Sequence, residues 1–223
     1  MRHASVVNAL RDVVTELGMD CERHEISPTR VKLWAGVAVP AASGDVRVKF
    51  EVNCADAEPI LALARVRHSV ETRVWQKEAD LFTYQTAELV GTKFRALAQR
   101  RKGRDLSDLW LARRKLQIPD DVLAHAADHY LAHEEITPPE LRQRIAAHLR
   151  DPDFGLDLDE LTATPYEGYK IVEAGHSLIQ WTDKHLDPLY SERRSCNAVR
   201  RDRQRWKEEG GWAPGKIRCP RYE

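Results

Sequence analysis

The sequence has few cysteines, no excess of charge of either sign and no long apolar run. Its four cysteines stand far apart without a CxxC pair, at Cys21, Cys54, Cys196 and Cys219. This spacing argues against a zinc site and against a disulfide framework. No stretch approaches the ~20 apolar residues of a membrane-spanning helix, and the N-terminus lacks the apolar core of a signal peptide. We therefore predict a cytoplasmic protein with no membrane segment.

The 223 residues are 31% charged and 42% hydrophobic, a composition typical of a helix-rich globular protein. Apolar residues at helical spacing predict an amphipathic helix over 4–17, through Val6, Val7, Leu10, Val13, Val14 and Leu17. Two segments rich in β-branched and aromatic residues, 31–39 and 46–53, predict an antiparallel strand pair around Pro40 and Ser43-Gly44-Asp45. Weaker patterns at 66–75 and 81–84 indicate short strands.

From Thr86 onward the periodicity is helical, and prolines stand at the starts of segments or in the gaps between them. We predict helices over 86–101, 104–116, 120–132, 138–150 and 166–186. The predicted fold class is α+β, with a small antiparallel sheet followed by a C-terminal helical bundle. The predicted domains are 1–85, a partial α/β part; 86–191, a helical domain; and 192–223, a tail.

The predicted tail, 192–223, is strongly basic. It contains ten Lys or Arg residues against five Asp or Glu, so it carries +5 and the rest of the chain −5. Trp206, Trp212 and Tyr222 lie among these cations. Aromatic side chains between cations suit RNA, through stacking and phosphate contacts. The alternative is a flexible solubilising tail, and the sequence leaves both open.

Lys93 is an unexpected residue in the helix predicted over 86–101. At 100° per residue, Leu89 and Leu97 lie about 40° on either side of it, so we place Lys93 in the middle of the apolar face. A buried ammonium is costly unless an anion pairs with it. Lys93 therefore either grips a phosphate at the edge of the core, or extends to solvent or a structural carboxylate.

A basic turn, Arg100-Arg101-Lys102-Gly103-Arg104, separates this helix from the next, which opens with Asp105. Cations at a helix end complement the helix dipole, and that explanation suffices for the first three. Asp105 and Asp108 stand three residues apart on the second helix. Two acids at this spacing either hold a metal or favour a helix N-terminus.

The combination resembles the AbiEii/AbiGii-type nucleotidyltransferase toxins, the toxin half of type IV toxin–antitoxin and abortive-infection systems. The family signature in this region is Glu-Leu-x-x-x-Lys-x-x-Ala-Leu, then a basic turn, then Arg-Asp-x-x-Asp-Leu. Here it stands as Glu88-Leu89, Lys93, Ala96-Leu97, Arg100 and Arg104-Asp105-Leu106-Ser107-Asp108-Leu109. The resemblance extends from about residue 4 to 186, is specific over 86–110, and loosely includes 165–169.

The resemblance implies the roles of individual residues. Lys93 would hold a nucleoside triphosphate with Mg²⁺, assisted by Arg100 and Arg104, and the nucleotide would pass to an acceptor such as tRNA. Asp105 would be the essential acid of the last motif. Glu51, on the strand over 46–53, would be a third carboxylate that orients the metal or accepts the proton of the attacking hydroxyl. A cognate antitoxin would be a partner.

The family's first motif, a Gly-Ser or Gly-Gly-Thr element followed by an Asp-x-Asp pair, has no counterpart here. Asp157-Leu158-Asp159 has the right spacing, but its position predicts the start of a short helix. We therefore expect a truncated chain or an alternative start. Two hypotheses follow: a nucleotidyltransferase toxin whose metal-binding motif is supplied upstream, or a non-catalytic protein of that family that binds RNA, nucleotide or antitoxin.

Overall fold

The computed structural model describes residues 2–37, 46–54, 58–71, 76–159 and 166–208. The chain divides into two compact units, Met1–Glu58 and Pro59–Glu223. The first combines a helix with a sheet, and the second combines a hairpin with a helical bundle. The predicted α+β class, with small antiparallel sheets before C-terminal helices, is confirmed.

The first unit contains α1 (Arg2–Glu16) and an antiparallel sheet of β1 (Asp20–Ser27), β2 (Arg30–Val37) and β3 (Val46–Asn53), in the order β1-β2-β3. The predicted strand pair is β2 and β3, so that prediction is confirmed; residues 38–45 between them lie outside the described residues. Strand β1 was not predicted, because its polar residues show no alternation and are almost all exposed.

The apolar stripe of α1 is narrower than predicted. Val7 and Val14 are buried and Leu10 is partly buried, but Val13 and Leu17 are exposed, so the prediction that they face the core is wrong. The spacing i, i+3, i+7 marks the buried line of the helix, which packs against β1 and β2. Leu33 and Ala35 of β2 provide the other half of this small core.

The second unit begins before the predicted domain boundary at 85/86. It includes a hairpin of β4 (Ala64–Glu71) and β5 (Gln76–Thr83). Glu88, fully buried, accepts hydrogen bonds from the backbone amides of Ile60 and Leu61 at 2.8 Å each. Gln85 donates to the carbonyl of Ala62 at 2.9 Å. These bonds tie the segment before β4 to the bundle, and sequence periodicity contains no sign of them.

The helices of the second unit agree with the predicted ones within two residues at each end, up to residue 150. Their common core includes Phe94, Leu97, Leu109, Leu131 and Leu178. A 3-10 turn, Pro152–Gly155, links the fifth and sixth helices. The helices are α2 (Thr86–Gln99), α3 (Gly103–Lys115), α4 (Asp120–His133), α5 (Pro138–Leu149), α6 (Leu156–Asp159) and α7 (Ile171–Glu208).

Helix α7 differs from the helix predicted over 166–186 at both ends. It begins later because Gly168 adopts φ +73°, a left-handed conformation that an α-helix does not accept. It continues past Pro188 to Glu208 because packing outweighs the missing amide: Leu186 is buried, and Arg193 pairs with Asp128 at 2.9 Å. The predicted flexible tail is therefore helical up to 208, and 209–223 lie outside the described residues.

Cys21 and Cys54 are free thiols, whereas Cys196 is disulfide-bonded. The spacing of the cysteines had argued against disulfides, and for Cys196 that prediction is wrong. Spacing in sequence does not determine which distant cysteines meet in space. Among the helices that the structure describes, none is both long enough and apolar enough to cross a bilayer.

Tyr130→Phe is expected to destabilise the second unit by about 1.5–3 kcal/mol, the range for a hydrogen bond to a charged group. The Tyr130 hydroxyl donates to Glu88 Oε2 at 2.5 Å, and its loss leaves a fully buried carboxylate oxygen short of a donor. Urea unfolding measures the effect. Tyr190→Phe is the matched control, since its half-buried ring lies against Arg193 and Arg194; an equal loss in both variants would contradict the account.

Candidate functional site

The candidate site lies at the turn between α2 and α3. Helix α2 buries the face that contains Val90, Phe94 and Leu97, whereas Leu89 is 46% exposed. Lys93 therefore lies at the edge of the buried face, and its side chain is 36% exposed. The prediction that it lies in the middle of the apolar face is wrong. The error came from counting Leu89 as a core residue.

The end of α2 is held by side chains from α5. Arg144 donates to the carbonyl oxygen of Ala98 at 2.9 Å. His148 Nε2 lies 3.1 Å from the carbonyl oxygen of Leu97. Carbonyls at a helix C-terminus need such partners. Burial lowers the pKa of His148, which favours the neutral ring. The backbone of Arg100 is extended and ends the helix.

Asp105 is the buried carboxylate of the site. Its side chain is 0% exposed, and it accepts two hydrogen bonds from Arg100, Nε to Oδ2 at 2.7 Å and Nη2 to Oδ1 at 2.8 Å. This bidentate pair raises the pKa of Arg100. Asp105 lies in the first turn of α3, as predicted, while the N-cap residue is Lys102. Its carboxylate orients the guanidinium in a fixed plane.

Lys93 lies near the same carboxylate. Its Nζ lies 3.7 Å from Asp105 Oδ1 and 2.7 Å from Asp108 Oδ2. Lys93 lies on α2 and Arg100 directly follows the helix, and both cations contact Asp105. The structure thus brings together Lys93, Arg100 and Asp105, three of the residues singled out from the sequence.

Arg104 lies near a different carboxylate. Its Nε is 3.7 Å from Asp157 Oδ2, and Asp157 Oδ1 accepts a hydrogen bond from the Gly103 amide at 2.8 Å. Asp157 therefore caps α3 from α6, where Lys102 provides no side-chain cap. The interpretation of Asp157-Leu158-Asp159 as part of a short helix is confirmed.

Gly103→Ala is expected to destabilise the protein by about 1–3 kcal/mol, the usual cost of overpacking. A Cβ at Gly103 would lie well within van der Waals contact distance of the Phe154 carbonyl oxygen and 3.0 Å from Gly155 Cα. Thermal or urea unfolding measures the loss. Gly155→Ala is the control, because its Cβ would meet only the Ile171 Cδ1 atom, at 3.3 Å. A Gly103→Ala protein as stable as this control would show that the turn is not tightly packed.

Glu51 belongs to the first unit. The predicted alternation along β3 is confirmed, with Glu51 on the charged face. It lies 3.1 Å from Arg30 Nη1 and 3.0 Å from Lys49 Nζ. The hydrogen bond from Lys49, followed by the charges of Lys49, Arg30 and Lys32, lowers the pKa of Glu51. A lowered pKa keeps the group ionised and makes it a weaker base.

The described carboxylates singled out from the sequence are each engaged by a cation. Mg²⁺ requires near-octahedral oxygen ligands, typically one or two carboxylates with substrate phosphates and water. Asp105 is engaged by the Arg100 fork and Asp108 by Lys93, while Glu51 lies between two cations. Within the described ranges, no group of three His, Cys, Asp or Glu residues has a geometry that suits a metal. The predicted metal role of Glu51 stays a prediction.

Comparison with known proteins identifies the family. The family described as nucleotidyl transferase AbiEii toxin, type IV TA system, matches residues 5–170, more than half of the chain. The chain belongs to this AbiEii family. Among solved structures it is similar to JHP933 from Helicobacter pylori, at 14% identity over 82% of this chain and 71% of that one, with a TM-score of 0.39. It is also similar to a candidate nucleotidyltransferase from H. pylori, at 13% identity over 78% and 69%, with a TM-score of 0.38. No curated protein matches the chain.

Two residues of this AbiEii-family site were not recognised from sequence as supporting residues. Glu88 is the first residue of the family signature, and its carboxylate accepts the hydrogen bonds that hold the segment before β4. Asp157 caps α3 from 54 residues away. The one signal that pointed to Asp157 is Lys102, a poor N-cap residue, which indicates that the cap must come from elsewhere.

Proposed function

We propose that this chain binds the triphosphate of a nucleoside triphosphate at Lys93 and Arg100 and transfers the nucleotide to an RNA acceptor such as tRNA. We further propose that it acts as the toxin partner of a cognate antitoxin. The supporting observation is the convergence of two cations on one buried carboxylate, Asp105, in the segment that resembles the family signature. An ammonium and a guanidinium side by side match a chain of phosphates.

Lys93 acts as the exchangeable cation of the site. Its strongest contact is the 2.7 Å pair with Asp108, whose side chain is 42% exposed. Exposed ion pairs contribute only ~0–1 kcal/mol, so a multiply charged phosphate competes successfully for the ammonium. In the proposed complex Lys93 leaves Asp108 and contacts the triphosphate.

Arg100 acts as the fixed cation. A guanidinium has five N–H donors, and the two hydrogen bonds to Asp105 use two of them. Three donors remain for phosphate oxygens on a side chain that is 47% exposed. Asp105 is accordingly a positioning residue, since it holds the guanidinium plane in place before the phosphate arrives. Arg104, which lies near Asp157, adds positive charge beside this pair.

The proposed reaction transfers a nucleotidyl group. An acceptor hydroxyl oxygen bonds to the α-phosphorus, the bond from that phosphorus to the pyrophosphate oxygen breaks, and the hydroxyl proton passes to solvent. Lys93 and Arg100 neutralise the charge that develops on the departing pyrophosphate. The roles of Glu51 as third carboxylate and of Mg²⁺ are predictions of the family resemblance alone, and Glu51→Gln tests the former separately.

A second candidate function is binding without turnover, of nucleotide, RNA or antitoxin. The observation that favours it is that Asp105 and Asp108, the carboxylates at the turn, are engaged by Arg100 and Lys93. The two candidates are separated by incubating the protein with each α-labelled nucleoside triphosphate and tRNA, with and without Mg²⁺. Label transferred to tRNA supports the enzyme; saturable triphosphate binding without transfer supports the binding protein. Neither binding nor transfer would contradict both.

A further inference from the structure

A second cationic feature lies on α3, away from the turn that carries Lys93. It is a cleft of about 320 Å³ between α3 and the start of α7. Arg113 stands eight residues beyond Asp105, which places it about 12 Å further along the helix. The lining side chains used below are Trp110, Arg113, Arg114, Lys170, Glu173 and Ser177.

The cleft carries more positive than negative charge. Lys170 pairs with Glu173 at 2.7 Å, which neutralises both. Arg113 and Arg114 have no carboxylate within ion-pair distance among the residues that the structure describes. This contrasts with the turn at Lys93, where Arg100 lies against Asp105 and Arg104 against Asp157. The lining side chains therefore carry a net charge of +2, and Asp120, outside the lining, acts on Arg113 from a greater distance than an ion pair.

Both guanidinium groups are held by neighbours that leave donors free. Arg114 lies over the Trp110 ring at 4.8 Å, and Trp110 packs edge-on against Tyr169 at 5.1 Å. Arg113 lies 5.6 Å from the centroid of the Trp181 ring and donates to Ser177 Oγ at 3.5 Å. Aromatic contacts orient a guanidinium without neutralising it. The surroundings of Arg113 also lower its pKa by desolvation, which a bound anion would reverse.

We infer that this cleft is a phosphate-binding site, in which Arg113 and Arg114 bind the phosphate groups of a nucleic-acid strand or of a free nucleotide. Two successive arginines present planar donor pairs, the geometry that phosphate oxygens accept. The Trp110 ring forms an apolar wall of the cleft, while the paired Lys170 and Glu173 add no net charge. The inference does not require that Lys93 transfers a nucleotide, and the two can fail separately.

The test uses the full chain and a short fluorescein-labelled single-stranded RNA of mixed sequence, with binding followed by anisotropy over a range of salt. The variant is Arg113→Gln with Arg114→Gln, which removes both charges and keeps the side-chain length. We expect RNA affinity to fall about tenfold or more, and the slope of log K against log salt to shrink by about 1.4, since each phosphate contact on a single strand contributes about 0.7.

Two further variants keep the test informative. Arg150→Gln with Lys184→Gln removes two charges from exposed positions on α5 and α7 outside the cleft, and should change affinity less than twofold. Arg113→Lys with Arg114→Lys keeps the charge but loses the planar fork, so the salt slope should persist while affinity falls.

Titrations with ATP and with sodium tripolyphosphate distinguish the sources of the phosphate. Weaker RNA binding by the double glutamine variant assigns the cleft to a nucleic-acid strand. Unchanged RNA binding with weaker ATP or tripolyphosphate binding assigns it to a free nucleotide. If none of the three ligands binds more weakly, or if the Arg150/Lys184 control loses as much affinity, the inference is overturned.

Discussion

Lys93→Ala is expected to weaken nucleoside triphosphate binding by about 10- to 100-fold, the equivalent of a charge-assisted hydrogen bond. The reason is that Lys93 Nζ, 2.7 Å from Asp108 and a third exposed, is the cation of the turn that can change partners. Without it the phosphates face Asp108 uncompensated. Isothermal titration of wild type and variant with each nucleoside triphosphate measures the change.

Lys184→Ala is the matched control for this prediction, because it removes an exposed lysine from another helix, α7. Its triphosphate affinity should equal that of wild type. Circular dichroism should show that Lys93→Ala remains folded, since an exposed pair contributes little to stability. A Lys93→Ala protein that binds every triphosphate as tightly as wild type would remove the basis of the proposed function.

Arg100→Ala is expected to lower the free energy of unfolding by about 1.5–3 kcal/mol, the cost of leaving a buried carboxylate short of its donors. Asp105 is completely buried and receives both strong hydrogen bonds from Arg100, and Lys93 at 3.7 Å replaces only part of them. Urea unfolding measures the effect. Arg100→Lys should fall between wild type and Arg100→Ala, because an ammonium keeps the charge but not the fork.

The neighbouring residue provides a sharp control. Arg101 pairs with Asp151 on the surface, with 54% of its side chain exposed, so Arg101→Ala should cost less than about 1 kcal/mol. The double variant Arg100→Ala with Asp105→Asn should be more stable than Arg100→Ala alone, since the buried charge is gone. Equal losses for Arg100→Ala and Arg101→Ala would show that Asp105 does not depend on Arg100.

Much of the fold was predictable because helical periodicity survives in sequence. Four helices between 86 and 150 were placed within two residues, since prolines and apolar spacing mark both their ends and their faces. Strand β1 was not predicted, because both its faces are polar. The continuation of α7 past Pro188 was not predictable, because it depends on contacts such as that between Arg193 and Asp128, which lie far apart in sequence.

The sequence predicted which residues form the candidate site, but not which of them contact one another. The resemblance to the family signature singled out Lys93, Arg100 and Asp105. Helical spacing placed Lys93 in the middle of the apolar face, because Leu89 was counted as a core residue although it is exposed. The Arg100–Asp105 fork and the cap by Asp157 are tertiary contacts without a sequence period. Sequence therefore indicated which residues carry charge, and the structure shows which charge each one faces.

In the proposed complex Lys93 exchanges its ion pair with Asp108 for a contact with phosphate. A double-mutant cycle tests this exchange most directly. Triphosphate affinity is measured for wild type, Asp108→Asn, Lys93→Ala and the double variant. We predict that Asp108→Asn tightens binding severalfold, because the competing carboxylate is removed, and that this gain becomes smaller when Lys93 is absent. If Asp108→Asn leaves affinity unchanged, or if the gain is as large without Lys93, the exchange does not occur.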